Sequence, residues 1–297
     1  DLHTAYRRQR QMCIRDRKLW EGLGYYNRVR NMQEAAKTVK DEYNGRLPED
    51  YQALLSLKGI GSYTAGAIAS IAYGEKVPAV DGNVLRVISR ITESTEDISR
   101  QSVRRKIEQQ VSQIMPPDCP GDFNQALMEL GAVICVPNGQ AKCAECPIAF
   151  TCLAHRHDKA DMIPVKAPKK ARTQDNRTVF IIQDGECTAI RKRPEKGLLA
   201  GLYELPNTQG HLKSEDALLY VKELGLDPLY IEELPPAKHI FSHIEWRMQA
   251  YRIKVSSLKT TQDKELIFVS KEQSGKQYAI PSAFGAYAKY IKEETTR

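Results

Sequence analysis

"LKGIGSYTAGAIAS" spans residues 57–70 and places Gly59 and Gly61 between two runs with helical periodicity. Glycine lets the backbone turn tightly and come close to another backbone or to a phosphate. The second helix is predicted to begin at Ser62, and the free N–H groups of a helix N-terminus suit an anion. The stretch therefore indicates a phosphate site in a helix-turn-helix, and a packing role for the two glycines is the alternative.

Helical periodicity continues on both sides of this turn, from Lys18 to about Ala154. "DYQALLSL" (50–57), "DGNVLRVISRI" (81–91) and "DFNQALMELGAVIC" (122–135) all carry apolar residues three and four positions apart. Glycine and proline separate these runs, which predicts a bundle of short helices. A chain of 297 residues is too long for one ordinary core, so a second domain is expected.

The rest of the chain has a different character. Residues 155–176 are basic, contain two prolines and have few large apolar side chains, as a linker does. Two strand-like runs then flank an Asp-Gly turn in "RTVFIIQDGECTAIRKRP" (177–194), and "WRMQAYRIKV" (246–255) is a further strand. Helical patterns at 214–225 and 281–294 complete an α+β domain.

Composition limits the location and the chemistry. The net charge of +7 is spread over both halves, so it permits a DNA partner without requiring one. The sequence contains neither a transmembrane run nor a signal-peptide pattern, and we expect a soluble cytoplasmic protein without a membrane partner. Seven cysteines, an odd number, in such a chain favour a metal site over disulfides.

Four of these cysteines, Cys135, Cys143, Cys146 and Cys152, follow the spacing C-x7-C-x2-C-x5-C. Four thiolates on one loop can hold a tetrahedral zinc ion or a 4Fe-4S cluster. Zinc sites more often contain two CxxC pairs, so the single CxxC with unequal flanks favours the iron–sulfur cluster. Four unligated buried cysteines remain the alternative.

Asp81 stands at the start of the predicted amphipathic helix 81–91. Most aspartates in such a position are helix caps. A cap does not exclude chemistry, because a carboxylate at a helix mouth lies in the favourable field of the helix dipole and can stabilise a developing positive charge.

Five motifs occur in one order: "WEGLGYYNRVRN" (20–31), "LKGIGSYTAGAIAS", "PAVDGNVLRV" (78–87), "FNQALMELGAVIC" (123–135) and the cysteine loop. With them the chain, from Lys18 to its C-terminus, resembles the helix-hairpin-helix glycosylases of the endonuclease III superfamily that carry a 4Fe-4S cluster. Within that group it looks like a MutY-type adenine DNA glycosylase. The resemblance implies a multidomain protein: an all-α helix-hairpin-helix glycosylase domain with an iron–sulfur loop over 18–154, a linker over 155–176, and an α+β Nudix-like domain over 177–297.

The resemblance also implies roles for residues of the first domain. Asp81 would stabilise the positive charge on the sugar or attack it transiently, with Asn83 positioning water or sugar beside it. Tyr63 and Gln125 would line the pocket for the flipped adenine. The residues implied to contact DNA are Tyr25, as a wedge in the duplex, and Gly59, Gly61, Ser62 and Lys142. The four cysteines of the loop would hold the cluster.

In the second domain, Phe241, Ser242 and His243 of "FSHIEW" would recognise 8-oxoguanine, and Gly201 would shape the loop beneath them. Without the resemblance, a Ser-His pair in such a loop is an ordinary surface feature. The domain has no "RExxEE" carboxylate helix, so a magnesium-dependent pyrophosphatase is not predicted.

The predicted function is hydrolytic removal of adenine paired with 8-oxoguanine or guanine, in base excision repair, by a bacterial protein that acts as a monomer on double-stranded DNA. Relatives that also cleave the strand have a lysine where this chain has Tyr63, so a monofunctional enzyme is predicted. The alternatives are a non-catalytic lesion-binding protein and a pyrimidine glycosylase of the same fold; "FSH" argues against the latter.

Two features depart from the family. The first cysteine gap has seven residues where many relatives have six, a difference that a loop tolerates. Residues 1–17 are basic and unlike the family, and we interpret them as translated foreign sequence, with a DNA-binding arm as the alternative. The family's helix with the glutamate that protonates adenine is expected upstream of this sequence, so the chain as given is predicted to have almost no activity.

Overall fold

The computed structural model describes residues 18–168, 171–258, 261 and 263–291. The predicted foreign segment 1–17 lies outside the described residues. The chain divides into two compact units: Arg30–Lys169 forms one, and residues up to Val29 join Lys170 and the residues after it in the other. No helix within the described ranges is both long and apolar enough to cross a membrane.

The unit Arg30–Lys169 is helical, as predicted. Its elements are α1 (Asn27–Glu42, which begins three residues before the division), α2 (Tyr51–Ser56), α3 (Ser62–Tyr73), α4 (Gly82–Ile91), α5 (Gln101–Ile114), α6 (Pro120–Glu129), a π-helical turn (Leu130–Ile134), two 3-10 turns (Cys143–Glu145 and Ala149–Thr151) and α7 (Leu153–Arg156). The runs predicted from periodicity are therefore helices, with α3 beginning at Ser62.

Two apolar clusters hold this unit together. The apolar face of α4 packs on α5 and α6 through Val84, Leu85, Val87, Ile88, Val103, Ile107, Val111 and Leu127. α1, α2 and α3 share a second cluster of Ala35, Val39, Leu54, Leu57, Ala65 and Ala69. Burial of these faces provides the main favourable term for the fold.

Gly66 allows α3 to pack against the segment that leads into Asp81. A Cβ atom on Gly66 would lie 2.3 Å from the carbonyl oxygen of Pro78, closer than any side chain permits. The glycine therefore brings backbone next to backbone at this point, and it fixes where Asp81 emerges.

The second unit contains a mixed β-sheet covered on both faces. Its elements are β1 (Thr173–Asp184), β2 (Cys187–Lys192), β3 (Tyr203–Glu204), β4 (Asn207–Gln209), α8 (Ser214–Glu223), β5 (Pro228–Ile240), β6 (Ile244–Val255), β7 (Leu266–Ser270), α9 (Lys271–Gln277) and a 3-10 helix (Ser282–Tyr290). The order in the described residues is β3-β2-β1-β6-β5, with β4 on β1 and β7 on β2. β1 and β6 are parallel, and the other pairs are antiparallel.

Alternate residues of β1 enter different cores. Val179 and Ile181 pack with Trp246 and the 3-10 helix, whereas Phe180 and Ile182 pack towards α8. A strand that is buried on both faces reads as a continuous apolar run, as 179–182 does. The arrangement confirms the predicted fold class, an all-α domain followed by an α+β domain.

The predicted domain bounds 18–154, 155–176 and 177–297 stay predictions. By its contacts, Lys18–Val29 is part of the second compact unit. The first part of the predicted linker packs on the helical unit, because Arg90 Nε donates to the Ile163 carbonyl and Ile98 N donates to that of Val165. The predicted final helix is a 3-10 helix that ends at Tyr290.

Candidate active site

Asp81 is the N-cap of α4 and is half-buried. Its Oδ1 accepts hydrogen bonds from the backbone N–H groups of Asn83 and Val84, both at 2.8 Å. Its Oδ2 accepts a third bond, also 2.8 Å, from Nδ2 of Asn83. The structure thus brings the two predicted catalytic residues into direct contact, and the cap orients a carboxylate that stays partly exposed.

Arg86, which the sequence reading missed, lies behind this pair. It is only 5% exposed. Its Nη2 donates to Asn83 Oδ1 at 2.9 Å and to the Gly131 carbonyl at 2.5 Å, and its Nε donates to the Cys135 carbonyl at 2.6 Å. Burial lowers the pKa of the guanidinium, while Cys135 and Asp81 oppose that shift. One signal was available: an arginine three residues after Asn83, within a predicted apolar face.

The π-helical turn approaches Asn83 closely. A Cβ atom on Gly131 would lie 2.5 Å from the Cβ of Asn83. The side chain of Asn83 is therefore confined between Asp81, Arg86 and the backbone that leads into the cysteine loop.

The glycine turn has two parts with different surroundings. Gly59 has φ of +81°, and a Cβ there would lie 2.5 Å from that of Asn31 in α1, so its role includes packing. Gly61 caps α3, and a Cβ on it would meet nothing within 4 Å. Gly61, Ser62 and Tyr63 are exposed, so the N-terminus of α3 is open to an anion.

Tyr63 and Gln125 lie on facing helices. Tyr63 is 41% exposed, and its hydroxyl contacts Met128 Sδ at 3.4 Å. Gln125 is exposed and precedes Met128 by three residues in α6, so the two share a helical face. The predicted adenine-pocket residues therefore belong to the same side of the α3–α6 pair.

Asn124, a second residue that the sequence reading did not single out, joins the elements around the site. It is fully buried. Its Nδ2 donates to Ser70 Oγ at 2.8 Å and to the Val77 carbonyl at 3.0 Å, and its Oδ1 accepts from Ala79 N at 3.0 Å. One side chain thus connects α6, α3 and the segment before Asp81.

We predict that Asn124→Ala lowers the free energy of unfolding by about 3 kcal/mol, because the buried N–H of Ala79 and the partly buried carbonyl of Val77 lose their partner. Urea unfolding of the chain measures this loss. Gln125→Ala is the matched control, since it removes an exposed side chain from the next position of the same helix and should change stability by less than about 0.5 kcal/mol. Equal stability of the two variants would contradict the assigned role of Asn124.

The four loop cysteines line one pocket together with Arg90 and His155. Arg90 Nη1 donates to Cys135 Sγ at 3.0 Å, and the Cys152 thiol donates to the Arg90 carbonyl at 3.4 Å. Burial raises the pKa of the Cys143 thiol, and the three other thiols raise it further, which reflects their proximity. Lys142 is exposed beside them.

The donor set of this pocket is four cysteine sulfurs on one loop, which can hold either a tetrahedral zinc ion or an iron–sulfur cluster. Within the described parts of the chain, no three His, Cys, Asp or Glu side chains converge closely enough to hold one metal ion. A tetrahedral zinc ion needs its sulfurs about 2.3 Å from one point, whereas an iron–sulfur cluster distributes its cysteine ligands over several iron atoms. The Arg90 guanidinium also places positive charge beside the sulfur of Cys135.

In the second unit, Phe241, Ser242 and His243 form the turn between β5 and β6, which the Phe241 N–H closes onto the Ile244 carbonyl at 2.8 Å. The ring of Phe241 packs edge-to-face on Trp246, with centroids 5.0 Å apart. Ser242 and His243 are exposed at the tip. The aromatic residue anchors the turn, and two polar side chains remain available.

This turn borders a cavity of about 690 Å³. Its wall also includes Tyr25, which is 74% exposed and has φ of +46°. Leu198–Ala200 form another part of the wall. The adjacent Gly201 has φ of +68°, and its N–H donates to the Pro194 carbonyl, so it turns the chain directly after this part of the wall. The structure thus brings the predicted wedge and the predicted recognition turn together within one unit.

Comparisons with known proteins agree with this architecture. The HhH-GPD superfamily of base excision DNA repair proteins matches residues 17–113, and the NUDIX domain family matches residues 178–290. The chain therefore combines a region of the HhH-GPD superfamily with a Nudix-like domain.

Relatives identify the family more closely. An adenine DNA glycosylase of Arabidopsis thaliana is 35% identical over 275 residues, which cover 83% of this chain and 43% of the relative. That of Homo sapiens is 33% identical, with 79% and 52% covered, and that of Buchnera aphidicola (strain APS) is 32% identical, with 76% and 63% covered. The chain belongs to the MutY-type proteins and spans about half the length of the first of these relatives.

Proposed function

We propose that the protein removes adenine opposite 8-oxoguanine from double-stranded DNA by hydrolysing the N-glycosidic bond, without cleaving the strand, and that it acts as a monomer. The observation that carries this proposal is the Asp81 carboxylate, fixed by three neutral hydrogen bonds at the mouth of α4 and still partly exposed. That the excised base is adenine is proposed from the relatives, which are adenine DNA glycosylases. They do not favour the alternative of a lesion-binding protein without catalysis.

Asp81 would act on the sugar. Departure of the base leaves an oxocarbenium-like centre, which a fixed carboxylate stabilises by charge or by transient bonding. Asn83 Nδ2 donates to Oδ2 of Asp81, and Arg86 donates to Oδ1 of Asn83. These bonds fix the carboxylate, so it need not reorganise when charge develops. A flipped adenine would lie between Tyr63 and Gln125, where hydrogen bonds to its edge select it.

The proton for the leaving adenine would come from a glutamate on a helix N-terminal to these motifs, as in the family that the chain resembles. Adenine is a poor leaving group unless it is protonated, and general acid catalysis typically contributes about two to four decades of rate. The experiments on catalysis use an extended form, in which such a helix from a relative precedes Lys18, and we expect it to release adenine efficiently.

The cysteine loop would hold a 4Fe-4S cluster through Cys135, Cys143, Cys146 and Cys152. When bound, the cluster would cross-link a loop that has little apolar core of its own. The N–H of Arg90 on Cys135 Sγ would offset thiolate charge, and the exposed Lys142 would contact phosphate.

The cavity of the second unit would receive the opposite strand at the lesion. Ser242 and His243 offer hydrogen-bonding groups to 8-oxoguanine, and Tyr25 offers a ring that can stack between bases. Clustering of Tyr25 with the Phe241–His243 turn supports this assignment.

Tyr63→Lys tests the monofunctional chemistry. We predict that the extended form with this substitution forms a Schiff base with the abasic sugar and nicks the strand, because an amine then stands where the strand-cleaving relatives have theirs. Borohydride trapping on a duplex with adenine opposite 8-oxoguanine measures the covalent product. Ser62→Lys adds the same charge one residue earlier and should give no trapped complex. Trapping by the unsubstituted extended form would contradict a monofunctional mechanism.

A further inference from the structure

The segment that precedes α1 is fastened to the second unit by an ion pair. Lys18 Nζ donates to Glu21 Oε2 at 2.6 Å, to the Tyr278 carbonyl at 3.1 Å and to the Ser274 carbonyl at 3.2 Å. Glu21 Oε1 accepts from the backbone N–H of Ile280 at 3.0 Å. Three hydrogen bonds thus join these two side chains to residues 274–280, two donated by Lys18 and one accepted by Glu21. We call Lys18 and Glu21 the clamp.

The clamp is largely shielded from solvent. The side chains of Lys18 and Glu21 are 15% and 16% exposed. In α9 of the same unit, Glu272 and Lys276 form a pair that is 63% and 71% exposed. Water screens an exposed pair, which contributes little, whereas loss of one partner from a shielded pair leaves a charge without compensation.

An apolar contact accompanies the clamp. Tyr26 is 7% exposed and packs with Leu202 and Ala279, with Trp20 beside it. The indole N–H of Trp20 donates to the Gly24 carbonyl at 3.0 Å, which closes the intervening turn. Tyr25, next to the buried Tyr26, is exposed to the cavity. The anchored turn therefore presents one tyrosine outward because its neighbour is buried.

We propose that Lys18 and Glu21 are positioning residues for lesion recognition: they hold the Tyr25 turn on the second unit so that it and the Phe241–His243 turn act on the duplex as one body. The inference rests on the proposed function, because it assigns to this cavity a nucleotide opposite the excised adenine. The match to the base excision repair superfamily begins at residue 17, so a segment of glycosylase sequence here serves the Nudix-like domain.

The test makes two independent measurements, hydrogen exchange and duplex affinity, on the full chain and on its variants Glu21→Ala and Glu21→Gln. Hydrogen exchange at the Ile280 amide reports the clamp itself, whatever the ligand. Affinity for duplexes with 8-oxoguanine or guanine opposite 2′-fluoro-deoxyadenosine reports recognition, since the fluorine disfavours an oxocarbenium ion and the base stays attached. Glu272→Ala is the matched control, because it removes an exposed ion pair of the same unit.

Glu21→Ala is expected to accelerate exchange at Ile280 and to lower the preference for 8-oxoguanine over guanine by roughly tenfold, because misplaced recognition groups lose their alignment. Glu21→Gln, which keeps the acceptor for Ile280 and loses the charge, should fall between this variant and the wild type. Unchanged exchange in Glu21→Ala, or an unchanged preference despite faster exchange, would overturn the proposal. A wild-type chain that binds the 8-oxoguanine and guanine duplexes equally would refute the proposed function and, with it, the recognition role of the clamp. Faster exchange at the Ile280 amide in Glu21→Ala would then show only that the clamp holds this segment.

Discussion

Asp81→Asn is expected to slow adenine release by the extended form by about a thousandfold, the upper range for removal of one fixed electrostatic group. Asparagine is nearly as good a helix cap as aspartate, so α4 should still form. The amide has no charge for the oxocarbenium centre. The asparagine side chain also ends in an NH2 group in place of one carboxylate oxygen. That group would face either the Asn83 amide or the backbone N–H groups that donate to Asp81, and it could accept from neither.

Asp50→Asn is the matched control for this substitution. Asp50 caps α2 in the same unit, and its side chain accepts from Ala53 N at 2.8 Å. The two variants change the same chemical group at the same kind of position, but only one of them faces the proposed sugar site. Single-turnover release should be slow for Asp81→Asn and normal for Asp50→Asn. Equal rates for the two variants would remove Asp81 from the mechanism.

Cys146→Ser is expected to abolish stoichiometric iron binding and to lower the melting temperature by at least about 10 °C. The size follows because metal-binding free energy is also folding free energy in a loop of this kind, and each kcal/mol corresponds to roughly 2–4 °C in a chain of this size. Iron and sulfide analysis with thermal unfolding measures both effects. Cys146 forms the only CxxC of the sequence with Cys143, and Cys152 follows it.

Cys119→Ser is the control for the cysteine prediction. Cys119 is exposed, caps α6 and lies outside the pocket of the loop cysteines. It should keep the iron content and the melting temperature of the wild type. A Cys146→Ser protein that retains a full cluster would show that the loop does not hold it, and one molar equivalent of zinc in the wild type would favour a single-ion site.

Much of the candidate site follows from local sequence. The positions at which two helices begin, at Ser62 and directly after Asp81, were predictable. Glycine, aspartate and apolar periodicity determine them over a few residues. Arg86 and Asn124 were missed because their partners lie far away in sequence: Arg86 binds Gly131 and Cys135, and Asn124 binds Val77 and Ala79. A buried polar group is explained only by its partners, which periodicity does not reveal.

The second unit illustrates the same limit. Its strands were visible as β-branched and apolar runs, but the parallel pairing of β1 with β6 joins residues about 70 positions apart, from Thr173 with Ile244 to Gln183 with Lys254. The packing of Lys18–Val29 on this unit was also unpredictable, because it depends on Leu202 and Ala279 more than 170 residues later. Non-local contacts decide these features, and local propensity is silent about them.

Single-turnover release of adenine, measured side by side for this chain and for the extended form, tests the central claim most directly. The substrates are duplexes with adenine opposite 8-oxoguanine and opposite thymine, and binding is measured in parallel. The account predicts that both proteins bind the lesion duplex and that the extended form releases adenine efficiently opposite 8-oxoguanine but not opposite thymine. No release by the extended form would contradict the proposed activity, and equal release opposite thymine would contradict recognition of the lesion.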